Sequence, residues 1–352
     1  MINVEDRGLA DPSTLVLLGA GASVDAGFPT SARLHELLLE RLDPIYRNLA
    51  RLVFRDGGTV DPERLFRVLE FLNALETPGE PFVTSLGNES HDISALVEQW
   101  HPDIAEYLEI GRYRLQGAPL QRTVDRLWHE LVDIFSLKEP PTEPKFDYLR
   151  HLASKMRGQT IVTLNYDDAL EHMSYARTYR IDSGPFPQPR ATDDPLTAPL
   201  RLVKLHGSID WSRENGTGDV VPLSPLRSFH HSFEVGEGHA PGIIFGAGNK
   251  LRPDGPYLAL YEEFVGALAK ARHVVVIGYS FRDAHVNEAL RRWFLYQVDD
   301  GGLLRVGDVG EYPPAIVDRW RGQRPLDVEY VRGPASEMMV HLIAPRPNLM
   351  QS

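Results

Sequence analysis

The sequence of 352 residues contains no cysteine. This absence excludes disulfide bonds, a thiolate nucleophile and any zinc site that cysteine thiolates would hold. The adjacent His230 and His231 are a possible metal-binding pair, but no second group of ligands stands at a spacing that would complete a site. The sequence therefore predicts a protein without a bound metal ion.

A long apolar run and an excess of positive charge are also missing. No stretch approaches the ~18 apolar residues of a membrane-spanning helix, and the opening MINVEDRGLADPS lacks the apolar segment of a signal peptide. The 49 acidic residues outnumber the 37 basic ones, which gives a net charge of −12. We therefore predict a soluble, cytoplasmic protein that contacts no membrane and does not bind nucleic acid directly.

What the sequence does contain is an alternation of buried strands and helices. Short apolar runs predict strands in STLVLL, QTIVTL, PGIIF, HVVVI, GLLRV and LDVEYV, and in LRLVKLHGSIDW, where the strand is expected to end at His206. Helical spacing follows in SARLHELLLERL, at Leu34, Leu37, Leu38 and Leu42. This alternation predicts an α/β fold with a Rossmann-like, mainly parallel sheet.

The stretch from residue 45 to residue 157 has a different, helical texture. Its clearest apolar stripe has members at i, i+3 and i+4, namely Val124, Leu127, Trp128, Leu131, Val132 and Phe135. We predict a helical insertion or cap at 45–157, within a Rossmann-like domain built from 1–44 and 158–352.

Four short polar motifs stand where predicted strands end: GAGAS at 19–23, NYD at 165–167, HGS at 206–208 and GYS at 278–280. Each alone is typical of an ordinary feature, such as a tight turn, an Asx turn or helix cap, or a half-buried loop histidine. Parallel sheets bind ligands beyond the carboxyl ends of their strands. Four such motifs in one sheet therefore predict a shared binding crevice.

In order and wording these motifs resemble the sirtuin series. GAGASVDAGFP, TLNYD, KLHGS and VVVIGYS are similar to its glycine–alanine–glycine loop, asparagine–aspartate element, histidine–glycine element and late glycine–serine turn. The resemblance covers about 13–43 and 158–300. The motif series resembles the divergent sirtuin-like branch of prokaryotic antiphage defence more closely than the classical sirtuins, because members of that branch carry NYD and a helical insertion. The family implies an NAD-binding fold that cleaves the bond between nicotinamide and ribose.

The sequence differs from classical sirtuins and from dehydrogenases at positions that bear on its function. Classical sirtuins continue the first loop with proline, aspartate, phenylalanine and arginine, where this chain reads PTSA at 29–32, and they carry a four-cysteine zinc ribbon that the defence branch commonly lacks. A dehydrogenase is disfavoured because Val24 replaces the third glycine of its fingerprint. The acidic residue expected ~20 positions on has only the mid-helix candidates Glu36 and Glu40.

The resemblance also implies roles for single residues. Asn165 is expected at the ribose and its attacking water, because an amide both donates and accepts hydrogen bonds. His206 is expected to act as the base. The implied NAD-binding residues are Gly19, Ala20, Gly21, Ala22, Ser23, Asp167, Gly278 and Ser280, with the first two glycines letting backbone N–H groups approach the pyrophosphate.

The function implied is an NAD⁺ hydrolase that releases nicotinamide and ADP-ribose and depletes NAD during phage infection. NAD is then a substrate, and no metal takes part. Self-assembly into a homo-oligomer, or a separately encoded partner such as a HerA-like ATPase, is expected to control it. Two alternatives stay open: an NAD-dependent protein deacylase, which the absent zinc ribbon disfavours, and a non-catalytic subunit that senses NAD or ADP-ribose.

Overall fold

The computed structural model describes residues 10–41, 62, 66, 119–137, 143–173, 181–186, 199–213, 219–222, 240–244, 255–297, 302–311, 313–322 and 327–344. The described strands are, in chain order, β1 Thr14–Leu18, β2 Thr160–Thr163, β3 Ile181–Asp182, β4 Leu200–Lys204, β5 Gly207–Arg213, β6 Val220–Pro222, β7 Ala240–Ile243, β8 His273–Ile277, β9 Leu303–Asp308 and β10 Asp327–Arg332. They form a large sheet and a small one.

The large sheet has seven strands in the order β10-β9-β8-β1-β2-β4-β3, and every pairing in it is parallel. Its central strands are apolar runs buried on both faces, as parallel strands covered by helices must be. The predicted Rossmann-like, mainly parallel sheet is confirmed.

The helices of the described residues are α1 Ser31–Arg41, α2 Pro119–Phe135, α3 Asp147–Lys155, α4 Ala169–Met173, α5 Tyr257–Lys270, α6 Ala284–Arg292, α7 Ala315–Arg321 and α8 Ala335–Ile343. A short 3₁₀ turn at Ala20–Ser23 follows β1. No helix within the described ranges is both long enough and apolar enough to cross a membrane.

The core lies on both faces of the large sheet because successive side chains of a strand point to opposite sides. In β1, Val16 and Leu18 join the cluster that includes α1, α2, α3 and α8. Leu15 and Leu17 join the opposite cluster with α5, α6 and α7. Two helical layers thus cover the sheet that positions the four polar motifs.

The small sheet is antiparallel and has the order β6-β5-β7. The strand predicted in LRLVKLHGSIDW is β4, which ends at Lys204, two residues before the expected end at His206, and the rest of the stretch forms β5 of a different sheet from Gly207. Gly207 has a φ of 81°, a left-handed conformation that turns the chain between the two sheets. The predicted strand in PGIIF belongs to β7, and buried Trp211 packs against it at Gly242.

The described residues between 45 and 157 are largely helical, in α2, α3 and the short turn Pro144–Phe146. The predicted stripe of α2 is buried at Leu127, Trp128, Leu131, Val132 and Phe135. Leu42 and the side chain of Val124 lie outside the described residues. The domain boundaries at 45–157 remain a prediction.

Candidate active site

The four polar motifs meet at one edge of the large sheet because the strands before them are neighbours. In the order β8-β1-β2-β4 each strand pairs in parallel with the next. GYS, GAGAS, NYD and HGS therefore all follow carboxyl ends on the same side of the sheet. This arrangement confirms that the motifs share one edge, where ligands of parallel sheets bind.

The first and last motifs touch each other through their backbones. The Gly21 N–H donates to the Gly278 carbonyl at 2.9 Å, and the Gly19 N–H donates to the Ile277 carbonyl at 2.9 Å. A Cβ on Gly19 would lie 2.6 Å from the Gly278 carbonyl oxygen, and one on Gly278 would lie 2.6 Å from the Gly21 Cα. These glycines let two loops approach closely, a use that the sequence analysis did not anticipate.

The other residues of these two loops differ in their exposure. Ala20 and Ser280 are exposed, whereas Ala22 and Ser23 are buried. The Ala22 carbonyl accepts a hydrogen bond from the Tyr148 hydroxyl of α3 at 2.9 Å. The loop is therefore held from the helical side, and its exposed surface lies at Ala20.

Asn165 is fixed against the glycine loop. Its Nδ2 donates to the Gly19 carbonyl and to the Ser23 Oγ, each at 3.0 Å. The Ser23 hydroxyl also hydrogen-bonds to the Asp167 carboxyl, which is buried. Burial raises the pKa of Asp167, while nearby Lys204 and the Ser23 hydroxyl oppose the rise. The motifs after β1 and β2 thus form one hydrogen-bonded unit.

His206 is buried, with 2% of its surface exposed, between β4 and β5. Its ring centroid lies 6.4 Å from that of Tyr166 and 6.1 Å from that of His285. Its carbonyl accepts the Ile244 N–H at 2.7 Å, and the Tyr166 hydroxyl donates to the Ile244 carbonyl at 2.9 Å. His206 and the NYD motif therefore share packing partners, as expected for neighbouring strand ends.

Lys204 is a site neighbour that the sequence analysis missed. Its side chain is fully buried, and its Nζ donates to the Asp167 carbonyl at 2.6 Å, to the Tyr166 carbonyl at 3.3 Å and to Glu171 Oε1 at 2.8 Å. Burial disfavours the ammonium ion, but Glu171, Asp210 and Asp167 outweigh it and raise the pKa of Lys204. The signal in the sequence was a lysine inside the apolar run LRLVKL.

The helical segment also reaches these loops. The Phe135 ring at the end of α2 lies 6.4 Å from that of Phe28 and 6.0 Å from that of Tyr166. The Leu137 N–H donates to Asp168 Oδ1 at 2.9 Å. Residues from α2 and the segment after it therefore contribute to the surroundings of the NYD motif.

A small cavity lies within this network, among Leu18, Ser23, Thr163, Asn165, Asp167 and Glu171. Among the described residues, no group of three or more histidine or acidic side chains could hold a metal ion.

Comparison with known proteins finds a family model that matches part of the chain. Residues 159–295 match the family model described as a SIR2-like domain, and no curated protein matches the chain. A solved Sir2 homologue in complex with NAD is 15% identical, with 94% of this chain and 87% of that chain covered and a TM-score of 0.44. A structure concerned with the mechanism and regulation of Sir2 enzymes is 14% identical, with 94% and 90% covered and a TM-score of 0.45. Residues 159–295 are thus similar to a SIR2-like domain, and three of the four polar motifs, NYD, HGS and GYS, lie within them.

Proposed function

We propose that this protein is an NAD⁺ hydrolase that cleaves the bond between nicotinamide and ribose. The observation that carries the proposal is that Asn165 and His206 follow the adjacent strands β2 and β4, and that the ring of Tyr166, next to Asn165 in the chain, lies 6.4 Å from that of His206. One is a half-buried amide fixed beside the glycine loop, and the other is a buried imidazole. These are the side chains that sirtuin-like chemistry would place at the ribose and at the base.

The leaving group of this reaction needs little catalytic assistance. Breaking the bond between C1′ and the pyridinium nitrogen releases neutral nicotinamide and leaves positive charge on the ribose ring. Asn165 would hold a ribose hydroxyl or the attacking water, and His206 would take the water proton as the C1′–O bond forms. The products are nicotinamide and ADP-ribose. No metal is needed in this scheme.

The rest of the NAD molecule would lie along the loops after β1 and β8. Exposed Ala20 and Ser280 favour direct contact, while Gly19, Gly21 and Gly278 would keep the loops close together. The buried residues Ala22, Ser23 and Asp167 would support the site without touching NAD. Ala22 would anchor the loop, and Ser23 and Asp167 would orient Asn165. In this arrangement Asp167 does not attack the substrate.

The proposed biological role is that of a cytoplasmic effector that drains NAD during phage infection. Such an activity must be silent in healthy cells, so control by self-assembly or by a separate partner, such as a HerA-like ATPase, belongs to the proposal. The resemblance of the NYD-containing motif series to the defence branch supports it.

One incubation separates the hydrolase from its two alternatives. The purified chain is incubated with NAD at increasing protein concentration, with and without an acetyl-lysine peptide, and nicotinamide is measured by chromatography. We expect release without peptide. Release that requires the peptide would identify a deacylase. Tight NAD or ADP-ribose binding without any release would identify a sensing subunit.

Asn165→Ala should abolish nicotinamide release. The variant loses hydrogen bonds to Gly19 and Ser23, so we also expect it to be less stable by about 1–3 kcal/mol. Turnover is therefore measured per folded protein, after circular dichroism has given the folded fraction.

The matched control is Gln159→Ala, because Gln159 is an amide at the opposite end of β2 that donates to the Ala10 carbonyl at 3.0 Å. It should lose comparable stability and keep wild-type turnover. An Asn165→Ala protein that turns over NAD like this control would refute the assignment.

A further inference from the structure

Asp283 lies next to the buried imidazole of His206. The two residues come from different parts of the chain, His206 from the end of β4 and Asp283 from the residue just before α6. Asp283 Oδ1 lies 3.7 Å from His206 Nε2, with 13% of the aspartate side chain and 2% of the histidine side chain exposed. At this distance and depth a carboxylate interacts with a histidine far more strongly than it would in water.

Asp283 occupies a position where an aspartate side chain usually caps a helix. It is the N-cap residue of α6, and an aspartate there normally accepts a hydrogen bond from a backbone N–H of the first turn. Its side chain makes no such capping hydrogen bond. The carboxylate that would stabilise the helix end lies beside His206 instead, which indicates a use other than capping.

The loop before Asp283 is held firmly in an uncommon conformation. Phe281 has a φ of 55°, which is rare for a residue with a side chain. The Asp283 N–H donates to the Tyr279 hydroxyl oxygen at 3.1 Å, and the Tyr279 hydroxyl lies 3.0 Å from Asn287 Oδ1 as donor. Asn287 Nδ2 donates to the Phe281 carbonyl at 2.7 Å. Such strain persists only where neighbouring bonds enforce it, and it is commonest at functional sites.

From this geometry we propose that Asp283 is the positioning residue of His206, and that its carboxylate orients the imidazole and stabilises the imidazolium formed when His206 takes up a proton. The inference rests on the proposed function, since it assigns Asp283 a part in the same reaction. A buried carboxylate paired with a basic histidine serves this purpose in other hydrolytic sites.

The other described groups around His206 cannot supply the same charge. Tyr166 comes from the loop after β2, and His285 comes from the first turn of α6, two residues after Asp283. Behind His285 stands Tyr261 of α5, with ring centroids 5.7 Å apart. Tyrosines and histidines bring no negative charge near neutral pH. Among these described neighbours of His206, Asp283 therefore supplies the negative charge that favours the protonated imidazole.

The test is Asp283→Asn, which keeps the shape of the side chain and removes its charge. The pKa of His206 is followed by NMR in protein labelled at the histidine ring carbons, with the signal assigned by its loss in His206→Gln. We expect the titration midpoint to fall by about 1 pH unit. Turnover of NAD should fall about 10- to 100-fold, because the base remains but its imidazolium is less well stabilised. The acid limb of the pH–rate profile should move to lower pH.

Glu288→Gln is the matched control. It removes one acidic charge from the same helix, but Glu288 lies on the surface and pairs with Arg291 and Arg292. It should leave the His206 titration, the turnover and the pH profile unchanged. Asp283→Glu, which restores the charge, should recover the titration midpoint and part of the turnover.

An unchanged His206 midpoint in Asp283→Asn would overturn the inference, whatever happens to turnover. If that variant does not fold, Tyr279→Phe loosens the loop without changing either charge and should also lower the midpoint; an unchanged midpoint there would overturn the inference. A wild-type protein that releases no nicotinamide at any protein concentration would instead refute a hydrolase that acts without a separate partner. The NMR titration would still decide whether Asp283 and His206 interact.

Discussion

Asp168 illustrates how the fold changes the chemistry of a single side chain. It lies just after NYD, with 8% of its surface exposed. Burial raises its pKa to about 7, although His172 and the Leu137 N–H both favour the charged form. The NYD motif at 165–167 pointed to Asp167 and gave no reason to single out Asp168.

This raised pKa predicts a pH dependence of stability. The folded protein keeps a proton on Asp168 between about pH 4 and about pH 7, whereas the unfolded chain has released it. The contribution of Asp168 to stability therefore falls as the pH rises through this range. Asp168→Asn removes the titration, so its stability relative to wild type should increase from pH 4.5 to pH 8.

The measurement is urea unfolding of wild type and variant at each pH. Asp318→Asn, which changes an exposed aspartate of α7, serves as the control and should show a much smaller trend. A difference between Asp168→Asn and wild type that stays constant with pH, or reverses, would contradict the prediction.

Lys204 and Asp283 show why sequence reasoning missed part of the site. Each is a single residue, in KLHGS and in GYSFRD, and neither belongs to a motif whose spacing indicates a role. Lys204 contacts NYD residues 37 and 38 positions away, and Asp283 lies beside a histidine on a non-adjacent strand. Their partners are set by strand order, which no local pattern contains.

At the scale of elements, the two loops after β1 and β8 depend on a glycine at the point where they cross. Gly278 has a φ of 63°, and a Cβ there would lie 2.6 Å from the Gly21 Cα. Gly278→Ala should therefore destabilise the protein by about 2–4 kcal/mol, from the left-handed conformation and the forced separation of the loops.

The same substitution at Gly266 is the matched control. Gly266 lies within α5, and a Cβ there would meet nothing within 4 Å. Gly266→Ala should stabilise the protein by about 0.5–1 kcal/mol, because alanine suits a helix interior better than glycine. Thermal and urea unfolding of both variants would settle the sign, and a neutral Gly278→Ala would show that the loops can separate without cost.

For the molecule as a whole, the fold should not depend on a metal ion. The chain has no cysteine. Its small sheet is held by packing, with Trp211 1% exposed and Gly242 close against it. Treatment with EDTA should leave both the Tm and the proposed nicotinamide release unchanged. A Tm lowered by EDTA and restored by one divalent metal would reveal a structural site.

In the molecule as a whole, sequence and tertiary structure determined different features. Apolar runs and helical spacing determined the elements, because burial of one face or two leaves a periodic trace in the chain. The predicted β1, β2 and β8 and the α2 stripe are examples. The motifs at 19–23, 165–167, 206–208 and 278–280 were likewise visible, because polar residues after an apolar run stand out locally.

Tertiary structure alone decided which of these pieces touch. It divided LRLVKLHGSIDW between two sheets, since only the left-handed turn at Gly207 and the packing on β7 separate β4 from β5. It also brought Gly278 onto Gly21, Lys204 under the NYD loop and Asp283 beside His206. Local patterns encode burial, whereas these contacts arise from the order of strands in the sheet and from side chains meeting across it.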